Sequence, residues 1–294
     1  MAKRSTSRKA SKKKTYYPVS KVLALKPIAN NKTEFEIRAD QELCKANHRL
    51  YRQSRVYSCK INVSPTLDPN TNLEVFAIEP TWMAMNAYKR AYATFLDNSK
   101  EERSSTDARW NDFRVSADGG DGDQLVGVSK QDIGGNFGSY SEGEYLYSEV
   151  HDAAGNRKTF SWCGATSSVL FNIIDEYDLH ANTSADPSNP IGAVPYDGLT
   201  DDLDAGQSDH LQSDGNNPPY GSSTLENDVL VKIGTLSANP QAQKLSTGYF
   251  DAPCGFILIK ASQAVPFSST TNELVTLVVK EGDYKGVHAM SMLE

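Results

Sequence analysis

Acidic residues are missing from the first 33 positions, and Lys and Arg are missing from 159–231. The first absence excludes a self-neutralising N-terminal segment. The second makes that later region a poor contact for any polyanion. No apolar run approaches the ~18–20 residues that a helix needs to cross a bilayer, so no membrane partner is expected. Cysteine is scarce. Cys44, Cys59, Cys163 and Cys254 form no Cys-x-x-Cys pair and fit no zinc spacing. The basic N-terminus has no apolar stretch behind it, which is not the layout of a secretory signal. The thiols are therefore expected to be reduced and buried.

Catalytic signatures are missing as well. The glycine-rich stretch 134–143 has no Gly-Lys-Ser/Thr, and the chain contains no Gly-x-Ser-x-Gly and no His-Glu-x-x-His. His48, His151, His180, His210 and His288 are scattered, and each reads as an ordinary surface or core histidine. Acid pairs are abundant, but none stands out as a glycosidase dyad. Asp118, Asp121 and Asp123, and again Asp201, Asp202 and Asp204, resemble calcium loops superficially. Neither stretch supplies both the turn glycine and the terminal glutamate of an EF-hand. The expectation is a protein without enzymatic activity, cofactor or metal.

What is present is a strong charge asymmetry. Residues 1–60 carry 16 basic and 4 acidic side chains, a net of +12, and the remainder carries 14 and 33, a net of −19. The overall −7 hides two opposite parts. A basic arm that meets a polyanion is joined to an acidic body that does not. Residues 1–32 lack sustained hydrophobic periodicity and are expected to form a disordered arm, because they bury too little apolar surface to offset their ordering entropy.

From residue 33 to 294 the pattern is that of a folded domain. Phe35 and Ile37 alternate with charge in a strand. In RVYSCKINV, Tyr57, Cys59, Ile61 and Val63 share one face. LEVFAIE, NDVLVKIG, CGFILIKAS and ELVTLVVKEG read as further strands, and EYLYSEV with RKTFSWC reads as a hairpin. SVLFNIIDEYD is a continuous apolar run expected as a buried strand. One helix is predicted at about 82–103, where Met85, Tyr88, Tyr92, Phe95 and Ser99 line one side. Residues 176–228 are rich in Asp, Asn, Gly, Ser and Pro and are expected as an acidic surface insertion. Strands and helices do not alternate, so the expected class is all-β. The natural member is a single jelly roll, an eight-stranded antiparallel β-sandwich with one helix and long inter-strand loops.

The candidate binding residues follow from charge. Lys3, Arg4, Arg8, Lys9, Lys12, Lys13, Lys14 and Lys21 lie on the arm, and Arg49, Arg52 and Arg55 continue the charge onto the first strands. Such groups neutralise phosphates and release counterions, which supplies sequence-independent affinity. Tyr16 and Tyr17 either stack on unpaired bases or anchor the arm on the body. Lys3-Arg4 and Lys12-Lys13-Lys14 also suit a nuclear-import address.

The order of a Lys/Arg/Ser arm, NHRLYRQSRVYSCKINV, EPTWMAMNAYKRAY, ARWNDFRV and GDYKGVHA resembles the capsid proteins of small circular Rep-encoding single-stranded DNA (CRESS-DNA) viruses. The likeness covers the arm, residues 45–115 and, more loosely, the C-terminal strands. It implies a jelly roll whose arm lines the shell interior and holds a single-stranded DNA genome. It implies a homo-oligomeric icosahedral shell of about 60 copies and assembly in a host nucleus, with an import receptor and a cell receptor as further partners. The Lys/Arg-free insertion would face outward. Three alternatives share parts of this pattern: a small RNA-virus coat protein, a nuclear β-sandwich chaperone whose acidic loop binds basic partners, and a carbohydrate hydrolase.

Overall fold

Alternation along a few segments sorts the side chains between two sheets. The computed structural model describes residues 18–27, 32–63, 72–105, 111–117, 125–127, 147–182 except 153, 229–237, 245–265 and 275–294. In chain order the elements are β1 (Val22–Pro27), β2 (Lys32–Arg38), α1 (Ala39–Asn47), β3 (Arg55–Val63), β4 (Asn72–Ile78), α2 (Trp82–Asn98), α3 (Lys100–Ser105) and β5 (Leu125–Gly127). Then come β6 (Glu149–His151), β7 (Arg157–Ser161), β8 (Leu170–Asn172), α4 (Ile173–Asn182), β9 (Leu230–Ser237), β10 (Leu245–Ser246), β11 (Phe250–Pro253) and β12 (Phe256–Val265). The chain closes with β13 (Val275–Val279), β14 (Glu281–Gly282), β15 (Gly286–Val287) and β16 (Ala289–Ser291).

One sheet has the order β10-β3-β13-β1-β5, with β11 and β16 also paired to the long β3; the other has the order β2-β12-β4-β9. Every pairing in these two sheets is antiparallel, and four sets of pairs are nested. β1 meets β13, β2 meets β12, β3 meets β10 and β11, and β4 meets β9. The inward positions of both sheets share one core: Leu23 and Leu25, Phe35 and Ile37, Cys59 and Ile61, Val75, Ile257 and Ile259, Val275 and Leu277. Burying about 2 kcal/mol worth of apolar surface per such side chain drives the two sheets face to face. The body is a β-rich, mostly antiparallel sandwich.

About half of the chain, residues 79–229, is inserted between β4 and β9. It builds a second core beside the first. Tyr88 of α2 stacks on Trp162 at 6.0 Å, and Phe113 meets Tyr88, Tyr92, Phe95 and Phe160. Val56, Ile78, Phe256 and Met292 of the sandwich close this cluster. Thr81 caps α2 by accepting the Ala84 N–H.

Several expectations are corrected. Val22–Pro27, placed in the 1–32 arm, is a strand between β13 and β5, because Leu23 and Leu25 reach the core. Two buried leucines among lysines make too short a pattern to read alone. The predicted 82–103 helix ends at Asn98, where Ser99 turns back to bond the Phe95 carbonyl and α3 follows. The run SVLFNIIDEYD is not one strand. Asn172 Oδ1 accepts the Ile174 and Asp175 N–H groups and starts α4 after a three-residue strand. A helix at 39–47 was not expected either. Among the described residues one helix thus becomes four, and the strands exceed eight. The 149–161 hairpin forms as expected. Most of the acidic insertion (183–228) and the 118–124 loop lie outside the described residues. Among the described residues no helix is long and apolar enough to cross a membrane.

Candidate nucleic-acid interface

The nominated residues Lys3, Arg4, Arg8, Lys9, Lys12, Lys13 and Lys14 lie outside the described residues, whereas Lys21, Arg49, Arg52 and Arg55 lie within them. The site is built from the turn that leaves α1. His48 takes a left-handed conformation (φ 51°) at the helix C-terminus and sends the chain into residues 49–54. That loop has no ladder of its own, yet its backbone groups are satisfied one by one. The Tyr51 N–H donates to Cys44 Sγ, the Arg52 N–H to the Tyr284 hydroxyl and the Gln53 N–H to Asp112 Oδ2, while the Arg52 carbonyl accepts from the Tyr57 hydroxyl. A loop held at so many points presents its side chains in fixed positions.

The facing element is the β14–β15 turn. Lys285 (φ 51°) and Gly286 (φ 92°) are both left-handed there. The Tyr51 hydroxyl donates to the Lys285 carbonyl at 3.0 Å, and Lys285 Nζ donates to the Leu50 carbonyl. Two tyrosine rings, Tyr51 and Tyr284, meet edge to face at 6.1 Å. The Arg55 guanidinium lies 4.2 Å over Tyr284, and Lys285 Nζ is 5.3 Å from Tyr284 and 5.9 Å from Tyr51. Arg49 is close enough to Tyr51 for its charge to oppose the effect of burial on that phenol.

Four cations thus lie about two rings, and Asp112 pairs with one of them, Arg52. It accepts from Arg52 at 3.4 Å, with its own side chain buried and that of Arg52 nearly half exposed. Burial pushes the Asp112 carboxyl above the usual range, against the pull of the Gln53 N–H, Arg114 and Arg52. Lys285 is pushed below the usual lysine range by burial first and then by the Arg52 and Arg55 charges. Crowded like charges favour an incoming anion.

The arm joins the body at this cluster. Asn47, the last residue of α1, accepts the Ser20 N–H at 2.7 Å and donates to the Ser20 carbonyl at 3.1 Å. Lys21 Nζ pairs with Glu281 at 2.6 Å, so this nominated ligand clamps the root. A side-chain carbon on Gly286 would lie 2.8 Å from Val19 Cγ2, so that glycine serves both the turn and the close passage of the chain. Val19 and Ser20 therefore pack against the two elements that carry Arg49 and Lys285.

Sequence reasoning missed Lys285, Tyr51 and Tyr284. The available signal was Asp-Tyr-Lys-Gly at 283–286, a turn with a cation and an aromatic at its tip. The four cysteines are free, two buried and two half-buried, and among the described residues no group of His, Cys, Asp and Glu side chains is placed to hold a metal. Compared with known protein families, curated proteins and solved structures, the chain matches none.

Proposed function

We propose that this chain is a capsid protein built on a jelly roll, and that it self-assembles into a shell packaging single-stranded DNA through its basic arm. The observation that carries the reading is the nested strand pairing: β1 with β13, β2 with β12, β3 with β11 and β4 with β9. A jelly roll, the double Greek key shared by viral coats, lectins and cupins, would account for that nesting, with β1-β13-β3-β11 and β2-β12-β4-β9 as its two layers. Within that group, the +12 charge of residues 1–60 favours a coat protein. So does the convergence of the arm root with Arg49, Arg52, Arg55 and Lys285. The likeness of the arm, residues 45–115 and GDYKGVHA to CRESS-DNA virus capsids points to DNA as the cargo. The arm supplies diffuse charge for phosphates, and the body cluster supplies a fixed one.

The test is electron microscopy of the purified full chain, with its nucleic acid treated separately with DNase and RNase. Closed icosahedral shells whose contents DNase destroys are expected. A small, particle-free oligomer would overturn the capsid reading. Shells whose contents yield only to RNase would replace DNA by RNA.

A further inference from the structure

The insertion 79–229 is seated on the sandwich by a buried polar pocket that the nucleic-acid reading does not use. Arg38, at the end of β2, pairs with Glu36, donates to the Val115 carbonyl at 3.2 Å and to the Tyr147 hydroxyl at 2.8 Å, and lies over the Phe256 ring. Asp112 and Arg114 enter from the insertion, where the Arg114 N–H donates to Ser148 Oγ and the Arg114 carbonyl accepts the Ser148 N–H. Asp40, in the first turn of α1, faces this pocket. It is 2% exposed, and its Oδ1 has no hydrogen-bond partner among the described residues. The β11–β12 turn closes over it: Ala39 N–H bonds the Gly255 carbonyl, and a side-chain carbon on Gly255 would lie 2.8 Å from Asp40 N.

Acids outnumber bases among the described residues of this pocket. Among the described residues, three carboxylates (Glu36, Asp40, Asp112) face two guanidiniums (Arg38, Arg114), all buried. Arg38 is engaged by Glu36, and Arg114 acts on both Asp40 and Asp112. Arg52 reaches only Asp112, from the solvent side. Glu42 is matched by Lys45. The remaining titratable groups that sense Asp40 are Cys44, Tyr57, Tyr88 and Cys254, and burial keeps all four neutral. An uncompensated buried charge is expensive, and one proton removes it.

We propose that Asp40 is an acid-strengthened latch, at which uptake of one proton tightens the seating of the insertion on the sandwich. Burial lifts its carboxyl to about 6, with Arg38 and Arg114 opposing and Asp112 assisting. An aspartate whose folded-state value is raised holds its proton better when folded than when exposed. The seat therefore gains stability as pH falls through about 6 and loses it as pH rises. The device is independent of what the protein packages.

The test is amide hydrogen exchange of the full chain at pH 7.5 and 5.0, corrected for intrinsic rates and read at residues 111–117. Protection should rise about tenfold at the lower pH, the factor expected one unit below the folded-state value. Asp40→Asn should show the higher protection already at pH 7.5 and little change with pH, while Asp112→Asn should keep the pH response. Unchanged or reduced protection of the wild type at pH 5.0 would overturn the latch, and that reading needs no variant to fold. A full response surviving in Asp40→Asn would also overturn it.

Discussion

Gln53 clasps Val115 with both ends of its amide: Oε1 accepts the Val115 N–H at 2.6 Å, and Nε2 donates to the Val115 carbonyl at 2.9 Å. A side chain here completes the pairing that a neighbouring strand would otherwise provide. Both residues are buried, so neither backbone group has water as a substitute. Replacing Gln53 by Ala would leave the Val115 N–H without that partner, while its carbonyl keeps Arg38. The expected loss is about 2–3 kcal/mol, measured by urea unfolding. A loss under about 0.5 kcal/mol would mean that the clasp carries nothing.

Phe113, two residues earlier, makes the aromatic contacts of the second core. Phe113→Ala should lower stability by about 3–5 kcal/mol. It should also expose 147–182 to protease before the two main sheets, because α2 and the β7–β8 pair meet around this ring. Simultaneous cleavage of sandwich and insertion would show that the two cores unfold as one unit.

Two truncations separate arm from fold. Among the described residues the contacts that clamp the root begin at Val19, so deleting residues 2–17 should leave the melting temperature within a degree or two and remove most nucleic acid from particles. Deleting residues 2–26 removes Leu23, Leu25 and one of the two strands that flank β13, at a loss of several kcal/mol. A shorter variant that keeps an undiminished 260/280 nm absorbance ratio would show that packaging does not depend on the arm.

Lys285→Asn removes one of the crowded cations at a position where asparagine tolerates the left-handed backbone. Stability should hold or rise slightly, since its neighbours Arg52 and Arg55 repel it. Binding of an oligo-dT strand should weaken, with a log K against log salt slope shallower by about 0.7. Fluorescence anisotropy across a salt series reads both quantities. An unchanged slope would place Lys285 outside the contact.

The amino-acid sequence by itself determined the charge division and the main strands. Ten cations without an acid before Glu34, and strict alternation from Tyr57 to Val63, are local patterns whose physical meaning survives any packing. What it left undecided were the elements with weak local signals. Val22–Pro27 is a strand because β13 and β5 flank it, and Ile173 begins a helix because the Asn172 side chain reaches the next backbone groups. The cationic cluster was half legible. Arg49, Arg52 and Arg55 stand close in sequence, but Lys285 lies more than two hundred residues away and joins them only when β14–β15 folds against the 49–54 loop. The same holds for Asp40. As a residue it is one acid near a helix start, favoured there by the helix dipole. Only tertiary burial, beside two arginines that three carboxylates must share, turns it into a group that gains by taking up a proton.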